Sequence, residues 1–481
     1  MVDTTESSVP DNKSRTLAGS ALGPMQVLAI AVAAISPTTS VFLVYGDGVK
    51  LAGTGVVWAF VIGGVIALSM ALCYAEVGSV FPSAGGAYTI VRRALGPVFG
   101  GMVSVLFLML GVVITASILV ASATYLSSLV PGGLPVNWIA FAMMVLVTGL
   151  SIGRINPASW VAGAMLVLEL LVILAFTGFA FAHPALHTDP FSHPTMPTGH
   201  GGALAAVGIG ALFAAVVPAL FAFNGYDWPL YFAEEARNAR RVLPRAVLLA
   251  AGLSVVIELL AVIAATYAVR NVGVTAAATS PLSDIAHTVM GSVGANILLA
   301  GVVIAMFDTG LAGNLAYARI YYAGARDKMW PFGLNRLFGH LGERTHVPVY
   351  GFLVLFVGNG LLCIFSSLNT LVTFTGVVIV TIYLMVAVSA LVCRVRDRGL
   401  PRPFRMPLWP LPPLIAVVGV VIALSQQTSR DLAVALGVAV VSLVVYAALR
   451  HRLPARLEYA PSDALGSTAG QSADGPSREA G

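Results

Sequence analysis

Apolar stretches recur along the chain from end to end, most of them close to the ~20 residues a helix needs to cross a hydrocarbon core. With 58% hydrophobic and 10% charged residues, the 481-residue sequence lacks the charge to cover a soluble surface of that size. Its mean hydropathy of +0.90 says the same. The runs are continuous rather than alternating, which excludes a lipid-facing β-barrel. The fold class is therefore an all-α polytopic membrane protein. We read twelve transmembrane helices, at 25–48, 56–81, 97–129, 135–152, 157–182, 203–232, 242–269, 292–323, 347–366, 370–394, 407–425 and 431–450.

The basic residues orient these spans. With the N-terminus inside, the outer loops hold only Lys50, Arg270 and Arg430, and the other 23 of the 26 Lys and Arg residues face the inner side. That asymmetry predicts a multi-pass protein of the cytoplasmic membrane with both termini cytoplasmic. The net charge of +5 thus reflects topology and implies no nucleic-acid partner. Residues 1–24 carry Asp3, Glu6 and Asp11 and do not read as a signal peptide's basic region. Residues 451–481, rich in Gly, Ser and Ala, read as a disordered cytoplasmic tail. Cys73, Cys363 and Cys393 are scattered through spans and make neither a disulfide framework nor a metal site.

Two spans are interrupted. The first contains Ser36-Pro37-Thr38-Thr39-Ser40 midway, and the sixth runs into Asn224-Gly225-Tyr226-Asp227. Proline removes a helix hydrogen bond, and an acid in hydrocarbon must be solvated, paired or protonated. A local kink would account for Pro37 alone. Breaks at corresponding positions of two five-span halves point instead to a transporter's central site. A restarted helix offers free N–H groups and the positive end of its dipole, which suit a carboxylate; the ended half offers bare carbonyls, which suit an ammonium. A zwitterionic amino acid needs both.

At these residues the chain resembles the amino acid–polyamine–organocation (APC) permeases. The likeness covers nearly all of 25–450 and is carried by "CYAEVGSVFPSAGGAYTIVRRALGP" (73–97), "FAFNGYDWPLYFAEEARNARRVLPRA" (221–246), "ARIYYAGARDKMWP" (318–331) and "RPFRMPLWP" (402–410). The resemblance implies the LeuT-like fold, a five-plus-five inverted repeat with broken helices 1 and 6, and alternating access. The first repeat would be 25–182, the second 203–394, with two extra helices in 407–450. It also implies that Ser36, Pro37, Thr38, Thr39 and Ser40, with Ala222, Phe223, Asn224 and Gly225, bind the substrate's carboxylate and amino groups. Phe221 matches an aromatic lid, and Asp227 a usually acidic position beside the gate. The family's Gly-Ser-Gly break is replaced here by Thr38-Thr39-Ser40, which trades close backbone approach for hydroxyl donors and suggests a compact substrate.

Three further acids fall inside spans. Glu169 in "MLVLELLVILAF" stands where some relatives carry a lysine; it reads either as a proton-coupling carboxyl or as a neutral staple between helices. Asp308 in the eighth span can hold a proton, bind sodium or meet a cationic substrate, with Gly310 and Gly313 allowing close helix approach. Glu258 in the seventh reads as structural. Glu76, Glu234 and Glu235 lie at inner helix ends beside Arg92, Arg93 and Arg237, as gate ion pairs or a solvated rim. His183, His187, His193 and His200 share an outer loop whose irregular spacing and prolines favour a solvated loop over a metal site.

The function these readings predict is proton-coupled secondary transport of amino acids. The partners are a small-molecule substrate and the lipid bilayer, with no cofactor, no metal and no obligatory protein partner. Sodium is the alternative coupling ion. A polyamine or organic-amine transporter, or an amino acid exchanger, is the nearest rival. A membrane-embedded enzyme would need a zincin helix, a Ser/His arrangement or an intramembrane histidine base, none of which is present. A substrate-sensing receptor would need a signalling domain that the tails are too short to supply.

Overall fold

The protein is seen as a computed structural model that describes residues 35–83, 85–153, 159–198, 203–233, 236, 238–342 and 347–449. The helices within them are α1 (Pro37–Ala52), α2 (Val56–Val80), α3 (Gly86–Leu95), α4 (Pro97–Ser128), α5 (Val136–Ile152), α6 (Ser159–Ala182), α7 (Ile209–Ala222), α8 (Ala239–Tyr267), α9 (Val272–Ala277), α10 (Pro281–Arg326), α11 (Leu334–Phe338), α12 (Val349–Phe365), α13 (Leu368–Arg396), α14 (Leu411–Ser425) and α15 (Ser429–Ala448). Seven helical stretches among the described residues are long and apolar enough to cross a membrane, and four shorter apolar helices accompany them. Large apolar side chains face outward at Leu146, Leu171, Val256 and Val441, each more than half exposed, as a lipid-facing surface requires. This is a polytopic helical membrane protein.

Helix α1 is buried on nearly every side, with Val41, Val44 and Tyr45 fully enclosed. It packs against α6, α7, α8 and α10. Around it, α2 lies along α7 and α8, and α4 along α10 and α13. Small residues permit the tightest of these approaches. A Cβ on Gly63 would come within 2.9 Å of Ala219, and one on Gly310 within 3.0 Å of Leu119.

The observed structure departs from expectation in two places. The sixth span does not begin at Ala203: Leu204–Ala206 (β2) pairs antiparallel with Thr195–Pro197 (β1), with Met196 opposite Ala205. The ribbon docks on the 3-10 turn Gly53–Gly55, where the Thr195 N–H donates to Thr54 Oγ1 at 2.8 Å. An apolar run of four residues satisfies its backbone in a ribbon as readily as in a helix, so hydropathy alone misplaced the boundary. The eighth span keeps its expected start at residue 292: a helix from Pro281 runs up to it, and the two meet at Gly291, whose φ of 70° is not helical. Finally, Glu76 draws its partners from the far end of the chain. It is 1% exposed and accepts from Arg394, from Arg402 at 2.9 Å and from the Met406 N–H at 2.8 Å. Residues 1–24, His200, Glu234, Glu235, Arg237 and 451–481 lie outside the described residues.

The outer loop is tied down by Asp189. Hydrogen bonds from the Tyr267 hydroxyl (2.7 Å), from the Ser192 hydroxyl (2.8 Å) and from the Phe191 N–H (3.2 Å) hold its carboxyl below the ordinary value. A carboxyl depressed in the folded state adds stability that is present above its unfolded value of about 3.9 and lost as pH falls through the folded one. Hydrogen exchange across residues 183–198, relative to the intrinsic rate, should therefore quicken as pH falls below the ordinary carboxylate value of about 3.9. Asp189→Ala should show the same fast exchange at neutral pH. Exchange independent of both would remove Asp189 from loop docking.

Candidate substrate site

The first interruption falls at Ser36, whose backbone turns to the left-handed region (φ 47°, ψ 73°) before Pro37 opens α1 as its first helical residue. Proline is suited to that position, since its missing N–H would have been unpaired anyway. The free N–H groups therefore belong to Thr38 and Thr39, both buried. Both lie close to the Glu169 carboxyl. Val167 and Leu171, two residues to either side of Glu169, are 57% and 60% exposed, and at 100° per residue the acid points the opposite way, into the bundle. The Ser36 hydroxyl also donates to Glu169 Oε1, and the Thr38 hydroxyl to the Glu169 carbonyl at 2.7 Å. A carboxyl from another helix thus sits where a restarted helix offers an anion site.

Helix α10 completes this cluster through Thr309. Its hydroxyl lies 2.7 Å from Ser36 Oγ and 3.0 Å from Thr39 Oγ1. Asp308, one residue earlier, faces elsewhere and acts on Glu169 only through its charge. Thr309 is the residue that sequence reasoning missed. The signal was present, since a hydroxyl beside the eighth-span acid is one of few polar groups on that helix, but the charge drew attention first.

The second interruption follows α7, which ends at Ala222. Residues 223–227 turn, Gly225 takes φ 123°, and the chain resumes as a 3-10 turn over Trp228–Phe232. A φ of that sign strains any residue with a Cβ. Gly225→Ala should therefore cost roughly 1–3 kcal/mol of stability, read as a lower melting temperature in detergent. A substitution that leaves the melting temperature unchanged would show that the turn relaxes.

Between the breaks lies a small cavity of about 30 Å³. Thr39, Ser40 and Thr309 supply hydroxyls at one side, while Leu43, Val44, Ile114, Ile118, Phe221 and Trp228 make an apolar wall; no charged side chain lines it. Ala222 and Asn224 also line it. Phe223 does not, being fully buried edge-on against Phe60 at 5.5 Å. Asn224 and Trp228 separate this cavity from a smaller one of about 10 Å³, lined by Tyr74, Asp227, Tyr231, Tyr317 and Tyr383. There Asp227 accepts from the Tyr231 hydroxyl at 2.6 Å, and no side chain reaches its Oδ1. The Asn224 amide donates to Tyr383 at 2.8 Å. Asp227 thus belongs to the second chamber. Of the loop histidines, His183 bonds back to the Phe179 carbonyl of α6 and His193 to the adjacent Ser192, and no three His, Cys, Asp or Glu side chains converge among the described residues.

Two interrupted helices facing a mostly apolar cavity with hydroxyls at one side, inside a bundle with a lipid-facing exterior, are the features of a small-molecule permease. The family described as amino acid permease matches residues 22–448, and the chain belongs to that family, within the APC superfamily. It is a transporter and not an enzyme. Among its relatives is the branched-chain amino acid permease BcaP of Bacillus subtilis, 26% identical over 82% of this chain and 86% of the relative. BcaP of Lactococcus lactis is likewise 26% identical, over 79% and 84%. Human cationic amino acid transporter 4 is 26% identical over 73% of this chain but only 56% of its own length.

Proposed function

We propose that the protein is a proton-coupled symporter for amino acids with apolar side chains, working by alternating access in the cytoplasmic membrane. The observation that carries this reading is the central cavity. Hydroxyls and a helix start stand at one side, aliphatic and aromatic side chains stand elsewhere, and nothing charged is available to meet a charged side chain. The branched-chain specificity named for two relatives agrees with such a wall. Two inverted repeats, 25–182 and 203–394, with both termini inside, are the framework this proposal assumes.

Coupling follows from the occupant of the helix start. The Thr38 and Thr39 N–H groups serve either Glu169 or a substrate carboxylate. While Glu169 is ionised it fills the anion site. Once protonated it becomes a weaker acceptor, leaves the helix end to the substrate carboxylate, and travels neutral. Substrate and proton therefore bind together, and no sodium ion is required.

Asp227 favours a second reading. A buried carboxyl with a vacant oxygen among four tyrosines suits an organic cation, as aromatic cages do. Proteoliposome uptake of labelled leucine, alanine, arginine, glutamate and putrescine separates the two readings, with an inward pH gradient and no sodium. Leucine should accumulate, and a protonophore should collapse the gradient-driven uptake. Accumulation of putrescine in place of leucine would establish the amine reading.

A further inference from the structure

Helix α4 carries a hydroxyl that its own backbone does not satisfy. Ser104, Ser117 and Thr124 each donate to the carbonyl four residues earlier, at 3.0, 2.9 and 2.8 Å, and Ser122 donates to the Val303 carbonyl of α10. Thr115 Oγ1 is fully buried and has no hydrogen-bond partner among the described residues. The reason lies on α12. There the buried Asn359 donates to the Gly111 carbonyl at 3.3 Å, the acceptor that Thr115 would use in bonding back, and accepts from the Ala116 N–H at 2.8 Å. A valine of the same shape would leave no orphaned hydroxyl, so packing alone does not account for a threonine here.

What faces this hydroxyl is room. Three glycines of α10 are set by close packing: a Cβ would come within 2.6 Å of Val172 at Gly301, 3.0 Å of Leu119 at Gly310 and 2.8 Å of Trp330 at Gly324. Gly313 differs. A Cβ there would lie 3.6 Å from Thr115 Oγ1 and 3.7 Å from Trp228 Cη2, which is ordinary contact, and the backbone is helical. Close helix approach is thus the role of Gly310 and not of Gly313, and no backbone conformation demands glycine. Gly313 and Trp228 both line the central cavity. The missing side chain leaves a notch the size of one methyl or hydroxyl group, opening from the cavity onto Thr115.

We propose that Thr115 and Gly313 form a side-chain subsite for a hydroxyl-bearing amino acid, so that the central cavity takes threonine beside its isostere valine. The aliphatic wall of Leu43, Ile114 and Ile118 receives the methyl group, while the hydroxyl enters the notch and hydrogen-bonds Thr115 Oγ1. Thr115 then determines specificity, because it tells a hydroxyl from a methyl of equal size, which a wholly apolar pocket does weakly. Asn359 acts through it, by occupying the carbonyl that would otherwise quench the hydroxyl. This inference rests on the amino acid reading above and names a substrate class for the same cavity.

The test is competition against labelled leucine uptake in proteoliposomes, with valine, threonine and allothreonine as competitors. Thr115→Val should weaken threonine relative to valine by about tenfold, as loss of one buried hydrogen bond requires. Gly313→Ala, which fills the notch, should do the same. A threonine-to-valine ratio unchanged in either variant would overturn the subsite. Absence of uptake of leucine, valine and threonine alike would sink the amino acid reading and the subsite with it. Wild-type uptake that valine inhibits and threonine does not would overturn the subsite alone. If the variants do not fold, the wild type decides. Allothreonine puts its hydroxyl where threonine puts its methyl, so a fixed partner at Thr115 should separate the two epimers by about tenfold. Equal competition by both would overturn the subsite.

Discussion

Glu169→Gln should abolish concentrative uptake while leaving exchange measurable. Glutamine keeps the size of the side chain and can still occupy the helix start, but it cannot change charge. Substrate would then displace a neutral amide at every pH, and the imposed gradient would do no work on the substrate. Accumulation should fall from the proton-driven level to the equilibrated one, and apparent affinity should lose its pH dependence. In the unaltered protein, affinity should rise about tenfold per unit fall in pH wherever the free protein holds Glu169 ionised, as linkage of one proton to one substrate requires. Gradient-driven accumulation by Glu169→Gln at the wild-type level would leave Glu169 with only the role of stapling α6 to α1.

The second large effect is on stability. Glu76 joins the C-terminal end of α2 to the end of α13 and to the 402–406 segment, and both it and Arg402 are almost wholly enclosed (side chains 1% and 5% exposed). Removing one member of such a group leaves its partners' charges buried and uncompensated, which typically costs roughly 3–5 kcal/mol. Glu76→Ala should therefore lower the melting temperature in detergent sharply and resist rescue by salt. Arg394→Ala should cost less, because the Arg394 side chain is 22% exposed and water takes up part of the loss. A melting temperature within a degree of wild type for Glu76→Ala would mean that the cluster is dispensable.

Much of this architecture was legible because hydrocarbon tolerates few exceptions. The spans stood out by length and hydropathy, and the two interruptions stood out because Pro37 and Asp227 are costly where they lie. What the sequence did not reveal is which polar groups meet. Thr38 and Thr39 read as replacements for glycine at the break, whereas the backbone turns at Ser36 and these residues open the helix with their N–H groups toward Glu169. That contact spans more than a hundred residues, and no local pattern encodes it. Glu169 stood out as an acid in an apolar run, but its place beside the start of α1 depends on how α6 and α1 pack. Hydropathy also failed at Ala203–Ala206, where a small ribbon outcompetes the helix.

The most direct measurement of the central claim is proton uptake on substrate binding by the purified protein, followed by calorimetry in two buffers of different ionisation enthalpy. If the substrate carboxylate and ionised Glu169 compete for the start of α1, leucine binding at a pH where the free protein holds Glu169 ionised takes up about one proton, and the uptake vanishes in Glu169→Gln. Binding that takes up no proton, with an affinity independent of pH, would contradict the account.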